Sequence, residues 1–407
     1  MPPILTLAII LSLGFLLGEV AKKLHFPKVT GYIIAGLLLN PSLLAIVPKD
    51  FTDHTEIVTS IALSFITFSV GGTLLYSRVK SLGKSILSIT FFEAEFAFLA
   101  VAVGLACVAP FIMQSNNQSW LTTVLPMSLL IASLASPTDP SATLAVTHEY
   151  KASGTVTSTI MGVAASDDAI GLINYSLAVP VAQALTTHTE FALSSSIIRP
   201  PAIIVGAVTL GILSGFAFNV ITRLAKKETE GALVVVILAL LSLCYGTATL
   251  LGLDELLATM TMGIIVVNFN PRRNTIFRIL ERYTEELVFV LFFTLSAMHL
   301  DVAVLPSAAG LVALFVVFRT IGKMSGTALG ASLSKSPSKV KKYAAGGLIP
   351  QGGIVIGLAL LIKQNPAFDG IADIIISVII GSAVIHELAG PLLAKLALKK
   401  AGELHAG

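Results

Sequence analysis

Thirteen apolar runs follow one another along the chain, at residues 4–21, 28–47, 54–76, 85–113, 120–147, 154–186, 199–223, 231–252, 254–270, 284–301, 305–333, 342–363 and 369–398, with short polar breaks between them. Each is long enough for an α-helix to span a bilayer core, which takes roughly 20 apolar residues. The pattern predicts an all-α integral membrane protein of about 13 transmembrane helices, with no polar break long enough for a soluble domain. The first run follows Met1-Pro2-Pro3 without a basic residue or a later cleavage pattern, so it reads as a span and not as a signal peptide.

Composition agrees: 55% of residues are hydrophobic and 12% charged, with a mean hydropathy of +0.89, against about 25% charged in soluble domains. The lipid bilayer is therefore the expected environment. Of the 26 lysines and arginines, 21 fall at alternate breaks, among them Lys22, Lys23, Arg272, Arg273, Lys399 and Lys400. Positive charge marks the cytoplasmic side, which puts the N-terminus outside and the C-terminus in the cytoplasm. The same dispersal leaves no basic face for nucleic acid, and Cys107 and Cys244, each inside an apolar run, give no disulfide or metal site.

Polar residues inside the apolar runs carry the chemistry. Asp139 sits in Ser136-Pro137-Thr138-Asp139-Pro140, and Asp167 and Asp168 are adjacent in the next run. A carboxylate at the bilayer centre costs roughly 2.5–3.5 kcal/mol, so three of them point to an ion or proton pathway. Neighbours on a helix point about 100° apart, so one of the pair can meet a base while the other faces a cavity. Arg319 and Lys323 lie one turn apart inside the eleventh run and need partners there. Glu93 and Glu95 read equally well as helix-pairing residues, and Glu387 beside His386 as half of a structural ion pair, with Arg319 as its candidate base. Gly322, Gly326 and Gly330, spaced by four, predict close helix packing.

Two runs are interrupted, the fifth by Pro137 and Pro140 and the twelfth by Pro350-Gln351-Gly352-Gly353. A proline or glycine alone reads as a kink; beside Asp139 the break reads as a site. The interval between the breaks suits two inverted repeats, about 1–186 and 231–398, joined by a linker helix at 199–223, with two discontinuous helices crossing near the midplane. Their free N–H and C=O ends could hold ions without further side chains.

Thr138-Asp139-Pro140, Asp167-Asp168, Gly322-Lys323-Met324-Ser325-Gly326 and Pro350-Gln351-Gly352-Gly353, in this order, resemble the monovalent cation/proton antiporter superfamily, and most closely its bacterial sodium/proton antiporters. The resemblance implies that Asp168 carries cation and proton in turn, that Asp167 is its neighbour held by Lys323, and that Thr138 and Asp139 are ligands on the broken helix, so that Asp168 and Thr138 hold an alkali cation. An adjacent Asp pair resembles the electrogenic branch, while Arg319 also fits the arginine of electroneutral relatives. The implied protein is a secondary active antiporter of sodium, or of lithium or potassium, against protons, driven by ion gradients without a cofactor. It would be no enzyme, a homodimer, and resident in a bacterial inner membrane, with a core bundle moving against a dimerisation bundle. Potassium/proton or electroneutral exchange are the alternatives. An intramembrane aspartyl protease is a remote one, because adjacent carboxylates cannot bracket one water between two helices.

Overall fold

The computed structural model describes residues 2–24, 28–41, 43, 47, 55–81, 83–113, 119–139, 143, 146–147, 150–187, 193–224, 230–298, 305–351 and 354–404. These residues are helical throughout, apart from turns and one isolated bridge. In chain order the helices are α1 (Pro3–Lys23), α2 (Lys28–Leu39), α3 (Glu56–Thr73), α4 (Tyr76–Ser81), α5 (Gly83–Met113) and α6 (Trp120–Ser133). Then come α7 (Thr155–Ala164), α8 (Asp167–Thr186), α9 (Leu193–Leu224), α10 (Glu230–Leu250), α11 (Glu255–Phe269) and α12 (Arg273–Ile279). The series ends with α13 (Glu285–Met298), α14 (Leu305–Leu333), α15 (Ser338–Tyr343), α16 (Ile354–Gln364) and α17 (Ala372–Ala401).

Six helices are long and apolar enough to cross a membrane, or seven when the two arms of α17, bent by 42°, count as one span. Six shorter apolar helices of 10–17 residues accompany them. The bend in α17 lies between His386 and Leu388, and Pro391 explains it: a helical proline has no N–H for the carbonyl four residues back and collides with it. Two features add detail to the sequence expectation. The basic breaks are partly helical, at α4, α12 and α15. The run expected as one span at 154–186 is one of the six, Thr155–Thr186, with a local interruption at Ala165–Ser166, where the Ser166 hydroxyl donates back to the Gly162 carbonyl at 3.1 Å.

The packing follows the small residues. A methyl group at Gly322 would stand 2.5 Å from the Phe96 carbonyl oxygen, at Gly326 2.7 Å from Glu93 Cα, and at Gly330 2.7 Å from Ile89 Cα. The glycine row of α14 therefore lies against the backbone of α5, as its spacing predicts. Helices α6, α8, α16 and α17 join this pair, while α1, α2 and α13, and α3, α9, α10 and α11, form the neighbouring packing groups. Between α14 and its neighbours lie two buried cations, Arg319 and Lys323.

Candidate functional site: a buried ion-pair cluster at two broken helices

Helix α6 stops at Ser133, and the chain continues through Pro137 in a non-helical segment. The 3-10 turn Ala344–Gly347 likewise gives way to a non-helical stretch through Pro350. The two stretches meet: Thr138 and Gln351 form an isolated antiparallel bridge, and the Asp139 N–H donates to the Pro350 carbonyl at 3.2 Å. Proline at both breaks prevents the helix from continuing and leaves carbonyls without intrahelical donors.

Arg319 supplies those donors. Its Nε donates to the Ala135 carbonyl at 2.8 Å, Nη1 to that of Ile349 at 2.6 Å, and Nη2 to those of Pro137 at 2.9 Å and Pro350 at 3.4 Å. A planar guanidinium with five fixed donors suits this fan of acceptors. Among the described residues the hydrogen bonds of Arg319 thus go to main-chain oxygens of both segments. Glu387, its suggested partner, lies on α17 with a side chain outside the described residues, as do Pro140, Gly352 and Gly353 in full.

Lys323 Nζ, one turn on, binds the Glu93 carboxylate, donates to the Ser136 carbonyl at 2.6 Å and to Thr138 Oγ1 at 2.8 Å, and lies 3.6 Å from Asp167 Oδ2. The Thr138 hydroxyl in turn donates to Asp167 Oδ2. Lys323 is thus shared by two carboxylates, and Glu93 is the nearer. Sequence reasoning gave Glu93 no site role. The signal that could have found it is the glycine row: seating Gly322 and Gly326 on Ala97 and Glu93 brings Lys323 to the same level of α5.

The break before α8 makes Asp167 and Asp168 first-turn residues. That end of a helix carries free N–H groups and positive partial charge, which favours anions. Gly171, one turn later, admits the broken segment: a methyl there would stand 2.6 Å from Pro137 Cγ and 2.9 Å from Ser136 Oγ. Asp167 is fully buried, whereas Asp168 is partly exposed and within electrostatic range of Asp139 and Lys323. Asp167 Oδ1, Asp168 Oδ1, Glu93 Oε2 and Ser136 Oγ are buried without a hydrogen-bond partner among the described residues. Buried acceptors normally have donors, so the three carboxylate oxygens among these could each take a proton or a cation.

The structure therefore brings together Pro137, Thr138, Asp139, Asp167, Asp168, Arg319, Lys323 and Pro350, and adds Glu93.

Comparison with solved structures shows the same fold in the sodium proton antiporter MjNhaP1 from Methanocaldococcus jannaschii at pH 8, with a TM-score of 0.76, 20% identity and 98% of each chain covered. Among curated sequences, Cation/H(+) antiporter 19 of Arabidopsis thaliana is 26% identical over 393 residues, and Cation/H(+) antiporter 18 of the same plant 21% over 384. Each covers 89% of this chain, which spans about half the length of these plant relatives, 46% and 45% respectively. The High-affinity Na(+)/H(+) antiporter NhaS3 of Synechocystis is 24% identical over 432 residues, covering 94% of this chain and 87% of its own. Residues 7–396 match the family described as sodium/hydrogen exchanger, transmembrane, and on that match the chain belongs to this family.

Proposed function

We propose that the protein exchanges a monovalent cation, sodium first among the candidates, for protons across a membrane. The observation that carries this reading is the pair of buried, donorless oxygens on adjacent acids, Asp167 Oδ1 and Asp168 Oδ1, at the start of α8. A cation or a proton satisfies such an oxygen, and the two exclude each other there. Exchange follows when only a loaded site changes sides. Among the described residues no group of three or more His, Cys, Asp and Glu could hold a metal ion. The alkali cation would thus be met by Asp168 together with hydroxyl and carbonyl oxygens near Thr138, with Asp139 adding charge.

Electrogenic exchange is read from Lys323 as a second proton source. Four carboxylates (Glu93, Asp139, Asp167 and Asp168) surround two bases, Arg319 and Lys323. A desolvated cluster of this kind favours near-neutrality, so acids outnumber bases and protons or cations make up the difference. Arginine does not deprotonate; Lys323 can. The two non-helical segments joined at Thr138 and Gln351 are read as crossed discontinuous helices of two inverted repeats, about 1–186 and 231–398, within thirteen crossings. An external N-terminus, a cytoplasmic C-terminus, a homodimer and a bacterial inner membrane complete the reading.

Purified protein in proteoliposomes, with an internal pH dye and an outward proton gradient, tests it. Dequenching on addition of sodium, lithium or potassium is expected, with the rate altered by an imposed potential. No response to any of the three would end the antiport reading, and a rate indifferent to potential would end the electrogenic one.

A further inference from the structure

The second broken segment has a side-chain pair of its own. Gln351, the bridge partner of Thr138, accepts at Oε1 from His386 Nδ1 at 2.9 Å and from Ser382 Oγ at 3.1 Å, and its Nε2 donates to the Leu134 carbonyl at 3.5 Å. All three side chains are buried. An amide oxygen only accepts, so the imidazole proton sits on Nδ1, and His386 Nε2 is left with a lone pair and no partner among the described residues.

This pair occupies the place in the second half that Asp167 and Thr138 occupy in the first. Pro137 precedes Thr138 as Pro350 precedes Gln351, and Gly171 follows Asp167 by four positions as Gly390 follows His386. The packing corresponds too: a methyl at Gly390 would stand 2.5 Å from Pro350 Cγ, and one at Gly171 2.6 Å from Pro137 Cγ. Each following helix is also deformed at the matching point, by the interruption at Ala165–Ser166 before Asp167 and by the bend of α17 after His386.

We infer that His386 is a positioning residue: through Gln351 it fixes the register of the crossing, and so keeps the Thr138 hydroxyl between Asp167 and Lys323. The coupling runs through described contacts only. His386 orients the Gln351 amide, Gln351 ties the crossing to the C-terminal end of α6 at Leu134, and the backbone bridge sets Thr138. An uncharged pair suits this task, because its hydrogen bonds persist whichever ion the acids of the first half hold.

The inference rests on the exchange reading, so cation binding is measured apart from exchange, as the rise in melting temperature with added sodium chloride. His386→Leu and Gln351→Met are each expected to weaken apparent sodium affinity and raise the KM for sodium about tenfold, the scale of one lost hydrogen bond, with the maximal rate little changed. His386→Asn, whose amide nitrogen can stand where Nδ1 stood, should recover most of the affinity. The double variant should be no weaker than either single one, since both break one link. Unchanged sodium affinity in folded His386→Leu or Gln351→Met, additive losses in the double variant, or an equal defect in His386→Asn and His386→Leu would each overturn the positioning role. Retained sodium binding without exchange in the unmodified protein would instead overturn the antiport reading alone.

Discussion

The two halves of the crossing share a scaffold and differ in chemistry. In each, a proline breaks the helix, rests on a glycine of the following helix, and is succeeded by a bridge residue that meets a side chain one turn before that glycine. In the first half the meeting is a hydroxyl with an ionisable carboxylate, Thr138 with Asp167; in the second it is an amide with an imidazole, Gln351 with His386. Arg319 serves both halves alike, through carbonyls of each. Lys323 serves one: its contacts are Glu93, Ser136, Thr138 and Asp167. On the exchange proposed above, similar geometry would hold ion chemistry on one side and leave the other to act as an anchor.

The sharpest way to break that asymmetry is Asp168→Asn. The amide keeps the shape but carries neither the proton nor the full charge, so exchange in proteoliposomes should be lost while the protein still purifies as a folded species. Near-normal exchange by this variant would remove the acid from the first half's role.

Lys323→Gln comes next. It strands Glu93 and Asp167 as buried carboxylates without their cation, at a cost of about 3–5 kcal/mol if both stay charged. Melting should fall accordingly, and Glu93→Gln in the same chain should restore more of it than Asp167→Asn, because Glu93 is the nearer partner. The reverse order of rescue would return Lys323 to Asp167. Exchange by Lys323→Gln should also respond less to an imposed potential.

Gly171→Ala and Gly390→Ala test the shared scaffold. Each drives a methyl into a proline ring and should cost about 1–3 kcal/mol by overpacking. Similar losses in melting, with the larger fall in sodium affinity in Gly171→Ala, would sharpen the comparison. A silent Gly390→Ala would break it.

How far the sequence reveals all this depends on whether a feature has a local cause. Prolines, intramembrane acids and the glycine row are written in single residues; among the described residues helix stops ahead of Pro137 and Pro350 and the glycine row lies against α5, while Pro140, Gly352 and Gly353 fall outside them. The interruption at Ala165–Ser166 has no proline or glycine to announce it, so Asp167 and Asp168 read as mid-helix residues. Arg319 carries a charge, which suggests a carboxylate partner, but the carbonyls it meets are freed only by tertiary crossing. Glu93 and His386 are far in sequence from what they touch, and no periodicity encodes those contacts.

The smallest predicted effect concerns the N-terminal end of α7. Glu403 is buried, and its carboxylate accepts from the N–H groups of Val156 at 2.9 Å and Thr157 at 2.8 Å and from the Thr157 hydroxyl at 2.8 Å. Burial pushes its pKa up, but these donors outweigh burial and hold it below the ordinary carboxylate value. A depressed pKa contributes stability above the ordinary carboxylate range and loses it as pH falls through the depressed value. At neutral pH the unmodified protein should thus melt above Glu403→Gln, with the gap closing on acidification. A gap that widens would reverse the assignment.

The cap at Glu403 also bears on how the protein is made. The donors at Val156 and Thr157 precede their acceptor by 247 and 246 residues, so the half-span that leads to Asp167 emerges from the ribosome long before the residue that closes its end. Until then its first turn has N–H groups without this acceptor. Helix α7, the half-span before the acids, would gain its cap only after the rest of the bundle has been made. A nascent chain stopped at Lys400 would contain every residue of the ion cluster and still lack the cap of the half-span that leads to it.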